Sequence, residues 1–346
     1  MKIITIEEHV SDPDIARACQ QRSQAESPYF MDWVKASRDI PELLSQDFPH
    51  LVGAQTAITR AADMGEQRLA NMDACGIDMQ ILSYSNSPQL LDPEQAIPLT
   101  RAANDRLAAA VAAHPDRFGA FATLPWSDPH AAARELERTV TQLGFCGALL
   151  TGRPGNTFLD DPFYGPVLAA AEALNVPIYT HPGVPLPAVQ QPYYGGFSAD
   201  VSARLSMFGW GWHAEGGVQI IRMILSGVFD KYPRLQIIAG HWGEMVPFYL
   251  ARMDEALPQE VTGLTRTITD TFIQHFYITP SGMLNRPHMQ FTLDVVGVDR
   301  IIYAVDYPYL TNKGARDFLE TAPISQQDKE KIAHRNAETL FNMQPQ

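Results

Sequence analysis

The chain alternates between short apolar runs and longer stretches in which apolar residues recur every three or four positions. Eight runs carry the β-branched and aromatic residues that favour strands: "KIITI" (2–6), "DMQILS" (78–83), "RFGAFATL" (117–124), "CGALL" (146–150), "VPIYTH" (176–181), "LQIIAGH" (235–241), "QHFYITP" (274–280) and "RIIYAVD" (300–306). Several lack polar–apolar alternation, the pattern of strands buried on both faces of a parallel sheet. The intervening stretches read as amphipathic helices. "AANDRLAAAVAAHPDRF" is alanine-rich and stops at His114-Pro115. "DPHAAARELERTVTQLGF" starts at an Asp128-Pro129 cap and stops near Gly144, and "DPFYGPVLAAAEALNVP" repeats that grammar.

Eight strands alternating with helices predict an α/β protein, a (β/α)8 TIM barrel formed as a single domain over residues 1–346. A doubly wound open sheet competes, but no glycine-rich phosphate turn follows an early strand. Two segments break the alternation, residues 10–60 after strand one and 182–213 after strand five. Both are rich in Pro, Gly and aromatics, and they read as long inserted loops serving as lids or binding elements.

Composition narrows the function classes. With 346 residues, 45% of them hydrophobic, the chain can bury a large core. A net charge of −13 argues against a nucleic-acid partner, which needs a basic face. Cys19, Cys75 and Cys146 are too sparse for a disulfide framework, and Cys75 reads as a buried structural thiol. Neither a secretory signal nor an apolar run approaching the roughly 20 residues of a membrane span is visible, so the expectation is a cytoplasmic protein with no membrane partner.

In a barrel of this kind the chemistry sits where the strands end. Strand one ends in Glu7-Glu8-His9, strand five in His181-Pro182, strand six in His241-Trp242-Gly243-Glu244, and strand eight in Asp306-Tyr307-Pro308. Alternation puts Glu7 and His9 on one face and Glu8 on the other. Each residue alone has a plain reading as a solvated carboxylate, a turn former or a core histidine. Together Glu7, His9, His181 and Asp306 form a mixed nitrogen–oxygen set that suits one divalent zinc, manganese or iron ion. His241 and Glu244 are three apart, so a helical turn after His241 would let the carboxylate fix the imidazole tautomer. Arg252 follows in "VPFYLARMDE", either as a surface residue or holding a substrate carboxylate, including across a subunit interface. The run "MFGWGWH" (207–213) reads as core or, through Trp210 and Trp212, as a wall beside a planar substrate. His50, His114, His130, His275, His288 and His334 have no ligand-like spacing.

These stretches resemble the amidohydrolase superfamily, in the branch known as amidohydrolase 2, and within it the metal-dependent non-oxidative decarboxylases of hydroxybenzoates, of the γ-resorcylate type. The resemblance runs nearly end to end: "IEEH" (6–9), "NMDACGIDMQILS" (71–83), "HPDRFGAFATLP" (114–125), "PIYTHPG" (177–183), "GVFDKYPRLQIIAGHWGEMVPF" (227–248) and "IIYAVDYPY" (301–309). It implies a (β/α)8 barrel holding one divalent ion on Glu7, His9, His181 and Asp306. It further implies Asp306, His241 and Glu244 as catalytic residues and Arg252 as a substrate-binding one. The Glu-x-His on strand one, where the hydrolases of the superfamily usually carry His-x-His, favours decarboxylation. The implied activity is loss of CO2 from an ortho-hydroxy aromatic acid, with Asp306 delivering a proton to the carboxylate-bearing carbon, in a homodimer or homotetramer needing no organic cofactor. Metal-dependent hydrolysis of a lactone or amide is the alternative activity, and a barrel kept only for ligand binding is a third reading.

Overall fold

The computed structural model describes residues 1–41 and 47–343. Among the described residues seven strands form, all in parallel ladders: β1 (Ile4–Val10), β2 (Met79–Tyr84), β3 (Phe118–Ala120), β4 (Ala148–Thr151), β5 (Ile178–His181), β6 (Ile237–Ala239) and β7 (Phe276–Ile278). They form a three-stranded sheet, β1-β2-β3, and a four-stranded sheet, β4-β5-β6-β7. A bridge between Ala122 and Ala148 connects the two sheets. The backbone amides of Ala122 and Leu149 complete that junction, bonding to Gly147 and Ala122 carbonyls at 2.8 and 3.0 Å.

The eighth apolar run, 300–306, behaves differently from the expectation of a full strand. It makes one bridge, Ile278 to Ile301, and bonds to β1 through the Ile6 amide and the Tyr303 carbonyl at 3.0 Å. Ile302 N–H still donates to Ile278 O at 2.9 Å, but two further amides are committed elsewhere. Tyr303 N–H donates to Ile332 O at 3.1 Å, and Val305 N–H donates to the Glu8 carboxylate at 3.1 Å. A ladder needs those donors, so none extends here.

The strands are apolar on both faces. Ile4, Ile6, Ile81, Phe121, Leu149, Tyr179, Ile238 and Ile302 pack into one cluster, which Leu340 and Phe341 join. The opposite faces (Leu82, Leu150, Ile178, Ile237, Ile278 and Ile301 among them) join a larger cluster shared with the helices. Burying each such Leu or Ile is worth about 1.5–3 kcal/mol, so this double-sided arrangement dominates the fold's stability. The predicted helix signals hold: Pro93–Ala113 ends at His114, and Pro129–Leu143 runs from an Asp128 cap to a left-handed Gly144.

The segments expected as long loops contain helices. Residues 10–60 include Pro13–Glu26, Pro28–Ala36 and the greater part of Ala54–Ala61, while 42–46 lie outside the described residues. Residues 182–213 include Pro187–Tyr194, Ala199–Ser206 and the start of Gly211–Leu225. The two segments pack on each other through Trp33, Ala203 and Met207, with Phe208 edge-on to Trp33 at 5.4 Å. Among the described residues, no helix is long and apolar enough to cross a membrane.

Candidate functional site

Midway along β1, which runs on to Val10 rather than ending at Ile6, the pairing slips. Ile6 pairs with Ile81 and Glu8 with Leu82, leaving Glu7 as an extra residue at φ 76°. Such a bulge re-aims a side chain, and it sends Glu7 and Glu8 to opposite sides. Glu8 is held within the protein: its carboxylate accepts from Val305 N–H and from Gln80 Nε2, both at 3.1 Å. Gln80 in turn accepts from the fully buried Arg68 at 3.1 Å. Arg68 also donates to His9 O at 2.6 Å and lies 4.9 Å over the Tyr307 ring.

Glu7 turns the other way and lies on the same side as His9, as expected, although the bulge interrupts strict alternation there. Its Oε2 accepts from Ser281 Oγ and from Thr279 Oγ1. Gly240 lies close by, where a Cβ would come within 3.1 Å of Glu7 Oε1, so a side chain there would collide with the site. His181, at the end of β5, donates Nδ1–H to Pro182 O at 2.7 Å, which leaves Nε2 bare and 3.5 Å from Glu7 Oε1. His9 Nε2 is 3.2 Å from Asp306 Oδ1, and Asp306 sits in a turn at φ 66°. One atom from each of Glu7, His9, His181 and Asp306 lies within 4.8 Å of the others.

Three of these atoms, Glu7 Oε1, His9 Nε2 and Asp306 Oδ1, are buried without a hydrogen-bond partner among the described residues. Buried polar atoms are rarely left so. Burial raises the Glu7 carboxyl well above its ordinary range, and neighbouring Asp306 adds to the rise. Burial likewise raises Asp306. The imidazoles move oppositely: burial, then the Arg68 charge, pulls His9 down to about 3, and burial, then His9, lowers His181. Bare imidazole nitrogens and carboxylates that lack a counter-charge are the donor set of a divalent cation, so the residues present fit a metal ion.

Beside this cluster, His241 Nδ1 contacts Glu244 Oε1 at 2.7 Å. The contact was expected from an ordinary helical turn, but the backbone is left-handed at five successive residues: His241 (φ 47°), Trp242 (58°), Gly243 (79°), Glu244 (51°) and Met245 (65°). Four of them carry a Cβ, and each such residue costs roughly 1–2 kcal/mol there. Strain of this kind collects at functional sites. His241 Nε2 points back toward Asp306 Oδ2, at 4.0 Å. A further histidine completes the group: His213 Nδ1 contacts the other Glu244 oxygen at 2.8 Å. In the sequence His213 only closes the aromatic run 207–213, with no spacing that assigns it a role. The available signal was the pair Gly216-Gly217 just after it, whose added Cβ atoms would meet Glu244 Cγ at 3.2 Å and Glu244 O at 2.9 Å.

Residues 54–343 match the family model described as Amidohydrolase. The chain belongs to the amidohydrolase family. It is 38% identical over 298 residues to gamma-resorcylate decarboxylase of Polaromonas sp. strain JS666, covering 82% of this chain and 89% of the relative. Among solved structures, the dihydroxybenzoic acid decarboxylase of Polaromonas sp. JS666, with bound manganese and the inhibitor 2-nitroresorcinol, superposes at a TM-score of 0.83 with 32% identity, covering 100% of this chain and 98% of that one. The 5-carboxyvanillate decarboxylase of Novosphingobium aromaticivorans, complexed with manganese and 4-hydroxy-3-methoxy-5-nitrobenzoic acid, superposes at 0.87 with 31% identity, covering 99% and 96%.

In this amidohydrolase Arg252 does not join the cluster. It stands on helix Val246–Ala256, 72% exposed, paired with Glu255 at 3.0 Å. Trp210 is half-exposed, whereas Trp212 lies edge-on to His181 at 6.1 Å. Of the two tryptophans, Trp212 is therefore the one at the site. Tyr309, at 5.5 Å from His9, lines the same region. Cys75 is half-buried, and Cys19 and Cys146 are buried.

Proposed function

We propose that this chain is a metal-dependent, non-oxidative decarboxylase of an ortho-hydroxy aromatic carboxylic acid, of the γ-resorcylate type, built as one (β/α)8 barrel domain. The carrying observation is the convergence of partnerless Glu7 Oε1, His9 Nε2 and Asp306 Oδ1 with His181, beside the His241–Glu244 pair. The relatives' names supply the substrate class. The barrel reading rests on the sheet-to-sheet bridge at Ala122 and on the bonds from the eighth run to β7 and β1.

Glu7, His9, His181 and Asp306 would hold one divalent ion, manganese or zinc. When bound, it supplies Lewis acidity toward the substrate's carboxylate and adjacent oxygen. In this reading Asp306 holds a proton at Oδ2, 4.0 Å from His241, and delivers it to the carboxylate-bearing ring carbon. The bond from that carbon to the carboxylate then breaks, its electron pair returns to the ring, and CO2 leaves. Asp306 is left as a carboxylate and regains a proton from solvent. His241, oriented by Glu244, polarises a ring hydroxyl. Trp212 and Tyr309 wall the site against water. Arg252 would serve a substrate carboxylate only in a neighbouring copy of a homodimer or homotetramer, since in its own chain it faces solvent.

The test is 2,6-dihydroxybenzoate with metal-loaded protein in deuterated water. The expected result is release of CO2, with one deuteron on the carbon that carried the carboxylate. An ortho-hydroxybenzoate should likewise lose CO2, whereas its para-hydroxy isomer should be inert, because a para hydroxyl cannot reach the same cluster as the carboxylate. Asp306→Asn should lower turnover by about 10²–10⁴-fold at full metal loading, the usual worth of a general acid. Equal turnover of both isomers, or water-consuming cleavage of a lactone or amide without CO2, would replace this reading.

A further inference from the structure

The two imidazoles on Glu244 divide its oxygens between them. His241 Nδ1 takes Oε1 at 2.7 Å and His213 Nδ1 takes Oε2 at 2.8 Å. Burial alone would raise the Glu244 carboxyl, but His241 and then His213 hold it below its usual range, so it accepts from both rings. With one partner, the carboxylate could rotate and offer either oxygen. With two, rotation breaks both bonds at once. His241 must then keep its proton on Nδ1, which leaves Nε2 bare toward Asp306.

The outer nitrogen of His213 has two alternative partners, one in the turn before its helix and one beside it on the helix. Phe208 O lies 3.0 Å away and accepts from a protonated Nε2, while the indole Nε1–H of Trp212, at 3.1 Å, donates to a bare one. Either way the ring is anchored, and Trp212 also faces His181. The histidine thus links the turn at Met207–Trp210 and the start of its helix to the inner pair.

We infer that His213 is a positioning residue: by occupying Glu244 Oε2 it fixes the carboxylate, and through it the tautomer and direction of His241. It donates no proton to substrate. The kinetic part of the test rests on the decarboxylase reading, whereas the spectroscopic part stands without it.

The experiment uses zinc-loaded protein labelled with 15N at its histidine rings. In wild type, His241 should show protonated Nδ1 and bare Nε2. His213→Phe, which removes the donor, should lose that single tautomer. His213→Asn, whose amide nitrogen replaces Nδ1, should keep it. With 2,6-dihydroxybenzoate, His213→Phe should lower kcat about 10–100-fold, as loss of an outer partner does, with KM within threefold and metal content unchanged. His213→Asn should recover most of the rate. Should His213→Phe not fold, His213→Ala with and without added imidazole asks the same question, and imidazole should restore both tautomer and rate. An unchanged His241 tautomer in the donor-free variant overturns the proposal. So does a kcat within twofold of wild type, or a second zinc ion bound by wild type and lost with His213. If wild type releases no CO2 but the tautomer follows His213 as described, the positioning role holds and the decarboxylase reading falls.

Discussion

Glu7 and Glu8 are neighbours, and both are fully shut off from solvent. On the Glu8 side the protein answers its own charges: Val305, Gln80 and Arg68 supply a continuous set of donors ending on the His9 carbonyl. On the Glu7 side it does not, and Glu7 Oε1, His9 Nε2 and Asp306 Oδ1 are left without partners among the described residues. Burial raises both carboxyls, Glu8 to about 8 and Glu7 well above its usual range. Depth alone therefore does not separate scaffold from site. Completeness of partnering does, and one bulged residue makes the division.

Breaking the satisfied side should cost most. Arg68→Met strands the Gln80 amide oxygen and the His9 carbonyl and removes the cation near Glu8, and removing one member of a buried charged network costs about 3–5 kcal/mol. Urea denaturation of metal-free protein measures it, and a loss below about 1 kcal/mol would erase the distinction between the two sides. On the open side, His181→Ala or His9→Ala should leave the metal-free fold almost unchanged but lower metal affinity and turnover beyond the roughly 100-fold that outer partners cost. Full activity in either variant at low metal would remove the ligand assignment.

Glu7→Gln sharpens the contrast by moving stability the other way. A carboxyl whose folded pKa is raised binds its proton more tightly when folded, so it destabilises increasingly as pH rises above the unfolded value near 4.5. The metal-free variant should match wild type near that pH and exceed it by about 1 kcal/mol or more at pH 8, while binding metal worse. Parallel pH curves for the two proteins would contradict this. The smallest effect belongs far from both sides. Asn175 is an exposed left-handed helix cap at φ 54°, and Asn175→Ala should cost about 1 kcal/mol in thermal unfolding with kcat unchanged.

Much of this was readable from residue order. The apolar runs marked the strands, and the polar residues ending them marked Glu7, His9, His181, His241 and Asp306. The eighth run misled because its amides bond to Ile332 and to a side chain, which no periodicity records. The helices inside 10–60 and 182–213 were hidden by proline. Pro13, Pro28 and Pro187 stand in first turns, where they start helices, yet in a proline-rich stretch they read as breakers. His213 lies 31 residues before Glu244, a separation that only folding closes. Arg252 was legible as a cation but not as one facing solvent in its own chain.

The apolar seam between the two inserted segments has a consequence for how such enzymes change. Trp33 on one segment rests against Phe208 on the other, Tyr29 Oη donates to Gln191 at 2.6 Å, and Gln190 donates to Glu26 O at 2.6 Å. Neither segment can be exchanged alone without exposing the seam on its partner. A graft of 182–213 from a relative with another preference should fold poorly until 13–36 travels with it, so the two stretches form one heritable unit separated by about 150 positions of shared scaffold.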